Sequence, residues 1–507
     1  MIHIRHIGFG AAIAALMGST AVADVTPEEV WADLQRLYVD LGYSVEPGTE
    51  AREGDTLVVR DAALLMAAES DDDDAGLSVS FTLPEQRFRD LGDGRVEGTA
   101  SPNLPVIVTL RSEEEETVTF ELDIEMTDFV TLASGTPEAV IYDWSAAQMV
   151  VAGAFPLQDP DSEDEAGEIL IDALAGGLTG RISRTDDGLL QSSSDTETIS
   201  VEALGTGPAG EHFDIAFTMQ DVHSDQITPP GMGESALGFF SSLSSNRFAR
   251  GEMRFGPMTV EAEFDDPETG SGNFTFAADA GTFTFDLSQS GLHYASATEG
   301  MTFALTGAQL PVPVSGSLAE SGATIIFPMA EGPEQDYGLG LRLVDLTLND
   351  EVWALVDPAG ALPRDPLTAI IDASGTATIF VALTDEAAIL ETDAPPAQLD
   401  SLRLNELRIE GIGARVTGTG QFTFDNSDME TFDGFPRPQG VLDLTLVGIN
   451  ALIDRMVQLG VVPQDQAMGT RMMMSMFTRP GSDADTLEST IEVREDGGVY
   501  ANGQRIR

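Results

Sequence analysis

The amino-acid sequence predicts a mainly β protein with long antiparallel meandering sheets, arranged as a curved groove or a sandwich, with an N-terminal helix and a C-terminal helical pair. Three observations support this prediction. Apolar and polar residues alternate with period two through most of the chain, as in strands with one buried and one wet face. Turn sequences rich in Gly and Asp separate the alternating runs. Helical periodicity is scarce. The alternation is clearest at residues 118–126, 213–217, 258–264, 283–287, 341–348, 402–409 and 441–446.

The N-terminal helix has the strongest start signal in the chain. Thr26 is a good N-cap, Pro27 suits the first helical position, and Glu29 completes a capping box with Thr26. An apolar stripe at helical spacing follows from Val30 to Leu41 and includes Trp31. We expect this stripe to cover the nearest sheet, and the alternative is a helix that binds a partner.

Further helices are predicted at residues 162–174 and 235–243, and as a turn ending at Trp353. Residues 449–459 and 464–477 form the C-terminal pair. The second helix of this pair is rich in Met, which favours a stripe facing the core; an adaptable exposed surface is the alternative. Its methionines are Met468, Met472, Met473, Met474 and Met476.

Residues 1–23 have the features of a cleavable export signal. Arg5 precedes a short apolar run at 7–17, and Ala21-Val22-Ala23 forms a small-x-small cleavage pattern before Asp24. A run of this length is shorter than the roughly 20 apolar residues of a membrane span, which favours the cleavable signal over the alternative, an uncleaved anchor. We therefore predict a periplasmic protein with no transmembrane segment after signal removal.

The mature chain is predicted to comprise two β-rich halves. Residues 224–234 are the best boundary, which gives an N-terminal half at 24–230 with the leading helix and a C-terminal half at 235–507 with the closing helical pair. A short sequence similarity between residues 117–122 and 282–287 suggests that the two halves are related.

The composition excludes several classes of protein. The chain has 25 basic residues, all Arg, against 85 acidic ones, so its formal charge is −60. Nucleic-acid binding is excluded because phosphate affinity requires neutralising cations. The absence of Cys excludes disulfide scaffolds and thiolate metal sites. This acidity is typical of a protein adapted to a salty exterior.

No motif in the sequence indicates catalysis, a cofactor or a metal. The three histidines of the mature chain fit no metal pattern, and Ser235 lacks the second Gly of a nucleophile elbow. Residues 159–164 offer alternating carboxylates, but they depart from the calcium loop of an EF-hand. We therefore predict no catalytic, cofactor or metal site, although a pair of carboxylates brought together by the fold stays open as a hydrolase site.

Three segments together resemble an exported family of Gram-negative bacteria catalogued as domain of unknown function 2125. These segments are residues 24–43, 351–366 and 496–504, and the stretch with Trp353 and Pro363-Arg364-Asp365-Pro366 is the most specific. The long alternating strands also resemble, in architecture only, the AsmA-like proteins of the envelope. That second resemblance implies an extended curved sheet with an apolar groove and a role in lipid movement.

The leading functional prediction is a non-enzymatic envelope protein that binds a lipid or similar apolar ligand along a sheet groove. A scaffold for an envelope protein partner, a secreted carboxylate-dependent hydrolase and an outer-membrane barrel are the alternatives. Trp31, Trp353 and Arg364 are the candidate contacts for a ligand or partner. Two prolines around Arg364 also favour a structural corner, in which Arg364 pairs with a carboxylate.

Overall fold

The structure is a computed structural model that describes residues 24–69, 76–111, 117–158, 166–207, 210–229, 249–288, 290–391 and 394–507. The predicted signal at 1–23, the helix at 235–243 and the acidic cluster at 159–164 lie outside these residues.

The described residues contain five helices and 27 strands. The helices are α1 (Pro27–Asp40), α2 (Asp350–Val356), α3 (Glu386–Glu391), α4 (Ile449–Gln458) and α5 (Gln464–Phe477). The strands are β1 (Ser44–Glu46), β2 (Thr49–Glu53), β3 (Thr56–Glu69), β4 (Gly76–Asp90), β5 (Val96–Ala100), β6 (Asn103–Arg111), β7 (Thr117–Thr127), β8 (Val130–Thr136), β9 (Ala139–Gln158), β10 (Ala166–Arg184), β11 (Leu190–Thr206), β12 (His212–Thr228), β13 (Ala249–Phe255), β14 (Met258–Asp266), β15 (Gly270–Ala278), β16 (Ala280–Ser288), β17 (Gly291–Gly307), β18 (Val314–Pro328), β19 (Gly332–Leu348), β20 (Leu367–Ile379), β21 (Ala397–Gly411), β22 (Ala414–Asp425), β23 (Arg437–Val447), β24 (Arg479–Pro480), β25 (Thr486–Val493), β26 (Val499–Ala501) and β27 (Gln504–Arg505).

All the strands of the described chain belong to one antiparallel sheet, which confirms the predicted mainly β class. Long neighbours in sequence pair as meanders, from β9 to β12 and again from β17 to β23. Strand β12 pairs with both β13 and β14, so the ladder continues from one side of residues 230–248 to the other. The division into two halves stays a prediction.

A six-strand unit occurs twice in the sheet with the same topology. In the first unit, the long strands β4 and β9 flank two pairs of short strands that lie end to end, β5 with β8 and β6 with β7. In the second unit, the long strands β12 and β17 flank the pairs β13 with β16 and β14 with β15 in the same way. The sequence similarity between residues 117–122, in β7, and residues 282–287, in β16, does not reflect this repeat. The strand equivalent to β7 in the second unit is β15, not β16.

A line of one-residue insertions crosses the strands from β3 to β19. In β10, the ladder with β9 pairs Gly176 and Leu178 but skips Gly177. Shielded apolar residues are accordingly odd-numbered before Gly177, as at Ile171, and even-numbered after it, as at Ile182. The insertion thus keeps apolar side chains on one face along the whole strand. On other strands, residues at the same level also have no paired partner in the ladder. They are Asp61 in β3, Glu197 in β11, Asp221 in β12, Gly300 in β17 and Asp345 in β19.

Backbone conformation marks this line as a series of bulges. Asp61, Gly177, Asp221, Gly300 and Asp345 have φ values between 52° and 64°, in the left-handed region that Gly and Asp tolerate best. A bulge bends the strand that carries it. Because these residues lie side by side on neighbouring strands, we call the line the crease.

Cross-strand register defines one face of the sheet from β4 to β25. Residues directly opposite each other on neighbouring strands share a face. A continuous row of such partners begins at Phe88 in β4 and ends at Ser489 in β25, and we call the face that carries it the apolar face. The row is Phe88, Gly98, Thr131, Trp144, Gly180, Ser194, Ser224, Met253, Phe283, Ser296, Ala323, Leu341, Ile371, Leu407, Gly418, Leu444 and Ser489.

Glycine opposite an aromatic residue is a recurrent packing device in the sheet. A Cβ atom on Gly180 would lie 2.5 Å from the Trp144 ring, and one on Gly205 would lie 1.8 Å from Phe213. The absence of a Cβ lets each ring lie flat over the neighbouring strand, as when an aromatic shields an exposed glycine. The same arrangement joins Gly251 to Phe285, Gly272 to Phe264, Gly281 to Phe255, Gly316 to Phe303 and Gly375 to Tyr337.

The helices match the prediction at both ends and at the turn that ends at Trp353, which forms the start of α2, but they differ from it elsewhere. Helix α1 has the predicted capping box between Thr26 and Glu29, and α4 and α5 form the C-terminal pair. The helix predicted over 162–174 is wrong from Ala166 onwards, where β10 pairs with β9 and β11 because Ile169 and Ile171 follow the period of a strand. The core-facing Met stripe is also wrong: four of the five methionines of α5 are exposed.

We expect the crease to depend on glycine at Gly300. Its φ is 63°, and an added Cβ would lie 2.0 Å from a carboxylate oxygen of Asp279. Gly300→Ala should lower the free energy of unfolding by more than about 1 kcal/mol, measured by urea denaturation. Gly469→Ala, in α5 and with open space around the new methyl group, is the control and should be neutral or stabilising. Equal effects of the two changes would contradict a strained crease.

Candidate functional site

The apolar face is covered by α1 at its N-terminal end. Trp31 is 1% exposed, and its ring centroid lies 5.8 Å from that of Phe88 on the sheet. Val30 and Leu37 of the same helix are also buried against this face. The apolar stripe of α1 therefore packs on the sheet, as expected from its spacing.

A buried polar network holds α1 on this face. The carboxylate of Asp33 is almost fully buried and accepts hydrogen bonds from the Tyr142 hydroxyl at 2.9 Å and from Arg184 Nη1 at 3.0 Å. Arg184 also donates to Asp40 at 2.6 Å. Since a buried charge is costly without partners, these contacts fix the position of α1 over β9 and β10.

Two tyrosines beside this network stay neutral over the physiological pH range. Burial raises the pKa of Tyr38 to about 12. Burial is also the main cause that raises the pKa of Tyr142, and the Asp33 carboxylate adds to it. The Tyr142 hydroxyl thus remains a hydrogen-bond donor to Asp33.

An apolar cavity of about 290 Å³ lies between the C-terminal half of α1 and the sheet. Leu34, Tyr38 and Leu41 line it from the helix and its C-cap, Trp144 lines it from β9, and Phe129 lines it from the connection between β7 and β8. Its walls are almost wholly hydrocarbon, so the cavity suits an apolar group.

The middle of the apolar face changes from polar to aromatic. Serines on β11 and β12, Ser194 and Ser224, follow the region under α1. The aromatic cluster of Phe283, Phe285 and Tyr294 comes next, with ring centroids 5.4 Å apart between Phe283 and Tyr294. The face is therefore not uniformly apolar. The serines separate the apolar region under α1 from a second apolar region, which begins at the aromatic cluster.

An exposed aliphatic band occupies strands β18 to β21 of the apolar face. Leu339 is 57% exposed and pairs with Ile325, while Leu341 is 44% exposed and pairs with Ile371. Such side chains are normally shielded when they share one face of a sheet. The aliphatic band consists of six aliphatic residues, Ile325, Leu339, Leu341, Leu343, Ile371 and Ile409, together with the aromatic Phe327.

The C-terminal helices bound the band on its other side. The carbonyl oxygen of Phe477, at the end of α5, accepts hydrogen bonds from Ser489 Oγ at 2.7 Å and from Asn502 Nδ2 at 2.9 Å. Ser489 is the last member of the cross-strand row. Helix α5 therefore ends on the same face as the aliphatic band, opposite the end that α1 covers.

Charged pairs lie on the opposite face. Arg342, between Leu341 and Leu343 in sequence, pairs with Glu320 at 2.7 Å. His223 lies between Asp195 and Asp225, at 2.8 and 2.7 Å, and the hydrogen bond with Asp195 is the main cause that raises its pKa above the ordinary value. Outside the Asp33–Arg184–Asp40 network under α1, charged pairs such as these lie on one face and the apolar surface lies on the other.

The second and third predicted contacts, Trp353 and Arg364, form a corner. Trp353 in α2 is 9% exposed, and Arg364 pairs with Asp350 of the same helix. The Asp357 carboxylate accepts the Leu362 amide at 2.7 Å, and this bond is the main cause that lowers its pKa. The arginine–carboxylate pair is the one expected of a structural corner.

The structure does not bring the three predicted contacts together. Trp31 lies on the side of α1 that faces the sheet, whereas Trp353 and Arg364 share the corner at residues 350–366. Sequence reasoning missed the aliphatic band, the cavity under α1 and the Asp33–Arg184 pair. The alternation at 341–348 signalled a strand, but it could not show that the strand's apolar side stays exposed. Among the described residues, no group of His, Asp and Glu has an arrangement that fits a metal ion.

Comparison with known proteins places the chain in a family. Residues 242–506 match a family of uncharacterized proteins conserved in bacteria, DUF2125, and the chain belongs to this family. The match includes the Trp353 corner and the aliphatic band but not α1, so it is shorter than the resemblance drawn from the sequence. No curated protein and no solved structure matches the chain. None of the helices in the described ranges is long and apolar enough to cross a bilayer.

We expect Trp31 to anchor α1. Trp31→Ala removes a fully buried aromatic side chain and should lower the free energy of unfolding by about 3–5 kcal/mol. Leu41→Ala, at a 40% exposed position of the same stripe, is the control and should cost much less. Chemical denaturation measures both changes, and a loss below ~0.5 kcal/mol at Trp31 would contradict the packing role.

Proposed function

We propose that the protein is a non-enzymatic envelope protein that binds the acyl chain of a lipid, or a similar apolar ligand, on the apolar face of its sheet. The aliphatic band is the observation that carries this proposal. Seven large apolar residues on four neighbouring strands are each between 37% and 57% exposed. An exposed apolar patch of this kind usually marks a binding site.

The geometry of the face favours an elongated ligand. The band crosses the strands in the direction of the cross-strand row, and neighbouring strands are about 4.8 Å apart. Four strands therefore offer a path of roughly 15 Å, and the aromatic cluster on β16 and β17 extends it. A straight hydrocarbon chain fits a path of this form better than a compact ligand does.

Charge favours contact with the acyl chain over contact with an anionic head group. The chain carries a formal charge of −60, and an anion that approaches it is repelled. Each methylene group removed from water contributes roughly 0.8 kcal/mol. Affinity should therefore come from chain length, in keeping with the groove that the AsmA-like resemblance implies.

Acyl binding is tested with fluorescent fatty-acyl probes of increasing chain length. We expect saturable binding that strengthens as the chain lengthens, and Leu339→Glu should weaken it at least about tenfold because it places a carboxylate in the band. The matched control is Leu204→Glu, at a 46% exposed leucine on the opposite face, and it should leave affinity unchanged. Binding that ignores chain length, or equal losses in both variants, would contradict the proposal.

Export through residues 1–23 is part of the proposal. The short apolar run and Ala21-Val22-Ala23 support it. Mass spectrometry of protein released from the periplasm should find Asp24 at the N-terminus. Recovery of Met1-containing protein in the membrane fraction would overturn this expectation. The control is Ala23→Asp, which disrupts the cleavage pattern and should leave the signal attached.

A further inference from the structure

We propose that the outer surface of α5 docks the protein on a lipid bilayer. This docking site is separate from the aliphatic band and goes beyond ligand binding. It rests on two independent features of α5, its exposed apolar side chains and the absence of acidic residues from Gln466 to the end of the helix.

Four methionines form the exposed surface of α5. Met468, Met472 and Met476 follow one another at four-residue spacing and are 65%, 66% and 60% exposed, and Met473 beside them is 64% exposed. Residues four apart lie on one side of a helix. We call these four residues the α5 methionine surface. Long, flexible thioether side chains adapt to irregular apolar surroundings, such as the acyl boundary of a bilayer.

The charge pattern selects the partner. None of residues 466–482 is acidic, although the chain has 85 acidic residues in 507. The two arginines of this segment are paired, Arg471 with Asp454 at 2.7 Å and Arg479 with Glu488 at 3.1 Å. A protein of charge −60 approaches phosphate-bearing head groups with a surface that carries few negative charges, and the α5 methionine surface is both apolar and without acidic residues. A bilayer of zwitterionic lipid meets both conditions.

The anchoring of α5 presents this surface outward. Ala467, on the inner side of the helix, is 2% exposed. The Phe477 carbonyl is held by Ser489 and Asn502, and Arg471 donates to the Asn450 carbonyl of α4 at 3.1 Å. Because α5 ends on the apolar face, a docked α5 brings the aliphatic band to the lipid surface.

The test is flotation of the full chain with phosphatidylcholine vesicles at physiological salt. The protein should float with the vesicles, and Met472→Glu with Met476→Glu should reduce partitioning at least about tenfold because carboxylates resist burial at the interface. Met472→Leu with Met476→Leu should preserve it. Leu390→Glu in α3, at a 78% exposed leucine, is the control and should float like the unchanged protein.

A soluble acyl probe separates this site from the sheet. The glutamate variant should keep its probe affinity and its melting temperature, so a loss of flotation alone reports docking. Absence of flotation by the unchanged protein would overturn the proposal, and so would equal flotation of the glutamate variant. If the protein does not float but self-associates through Met472 and Met476, the bilayer proposal is wrong. The partner of the α5 methionine surface is then a second copy of the chain.

Discussion

The architecture depends on an insertion that the neighbouring strands share. Side chains in a strand alternate between faces, so one extra residue in a single strand would move its apolar set to the wrong face relative to its partners. Here Gly177 in β10 lies beside skipped residues in β9 and β11, and the pairing partners are in register again on both sides of the crease. The crease thus keeps the apolar side chains of neighbouring strands on one face.

The functional proposals follow from how that face is covered. Helix α1 covers one end through Trp31 and the Asp33–Arg184 pair, and α5 ends at Ser489 on the other. Between them the aliphatic band is exposed, while ion pairs such as Arg342–Glu320 lie on the opposite face. A large negative charge and an exposed apolar band coexist because the sheet separates them.

Local sequence signals predicted local structure well. The capping box at Thr26 and the period-two runs identified α1 and most strands, because both signals depend on neighbours a few residues apart. The sequence did not reveal the pairing of Asp33 with Arg184, which are 151 residues apart, or the bulges, whose effect depends on five or more strands together. The exposed methionines of α5 were misjudged because an apolar stripe looks the same whether it faces a core or solvent.

The chain's lack of Cys allows the central claim to be tested at a single position. A polarity-sensitive label on Leu341→Cys would lie in the aliphatic band, and one on Thr324→Cys would lie on the opposite face of the neighbouring strand. We expect a long-chain fatty acid to shift the emission at residue 341 toward that of an apolar medium and to leave residue 324 unchanged. No shift at residue 341, or the same shift at both residues, would contradict the account of the apolar face as the binding site.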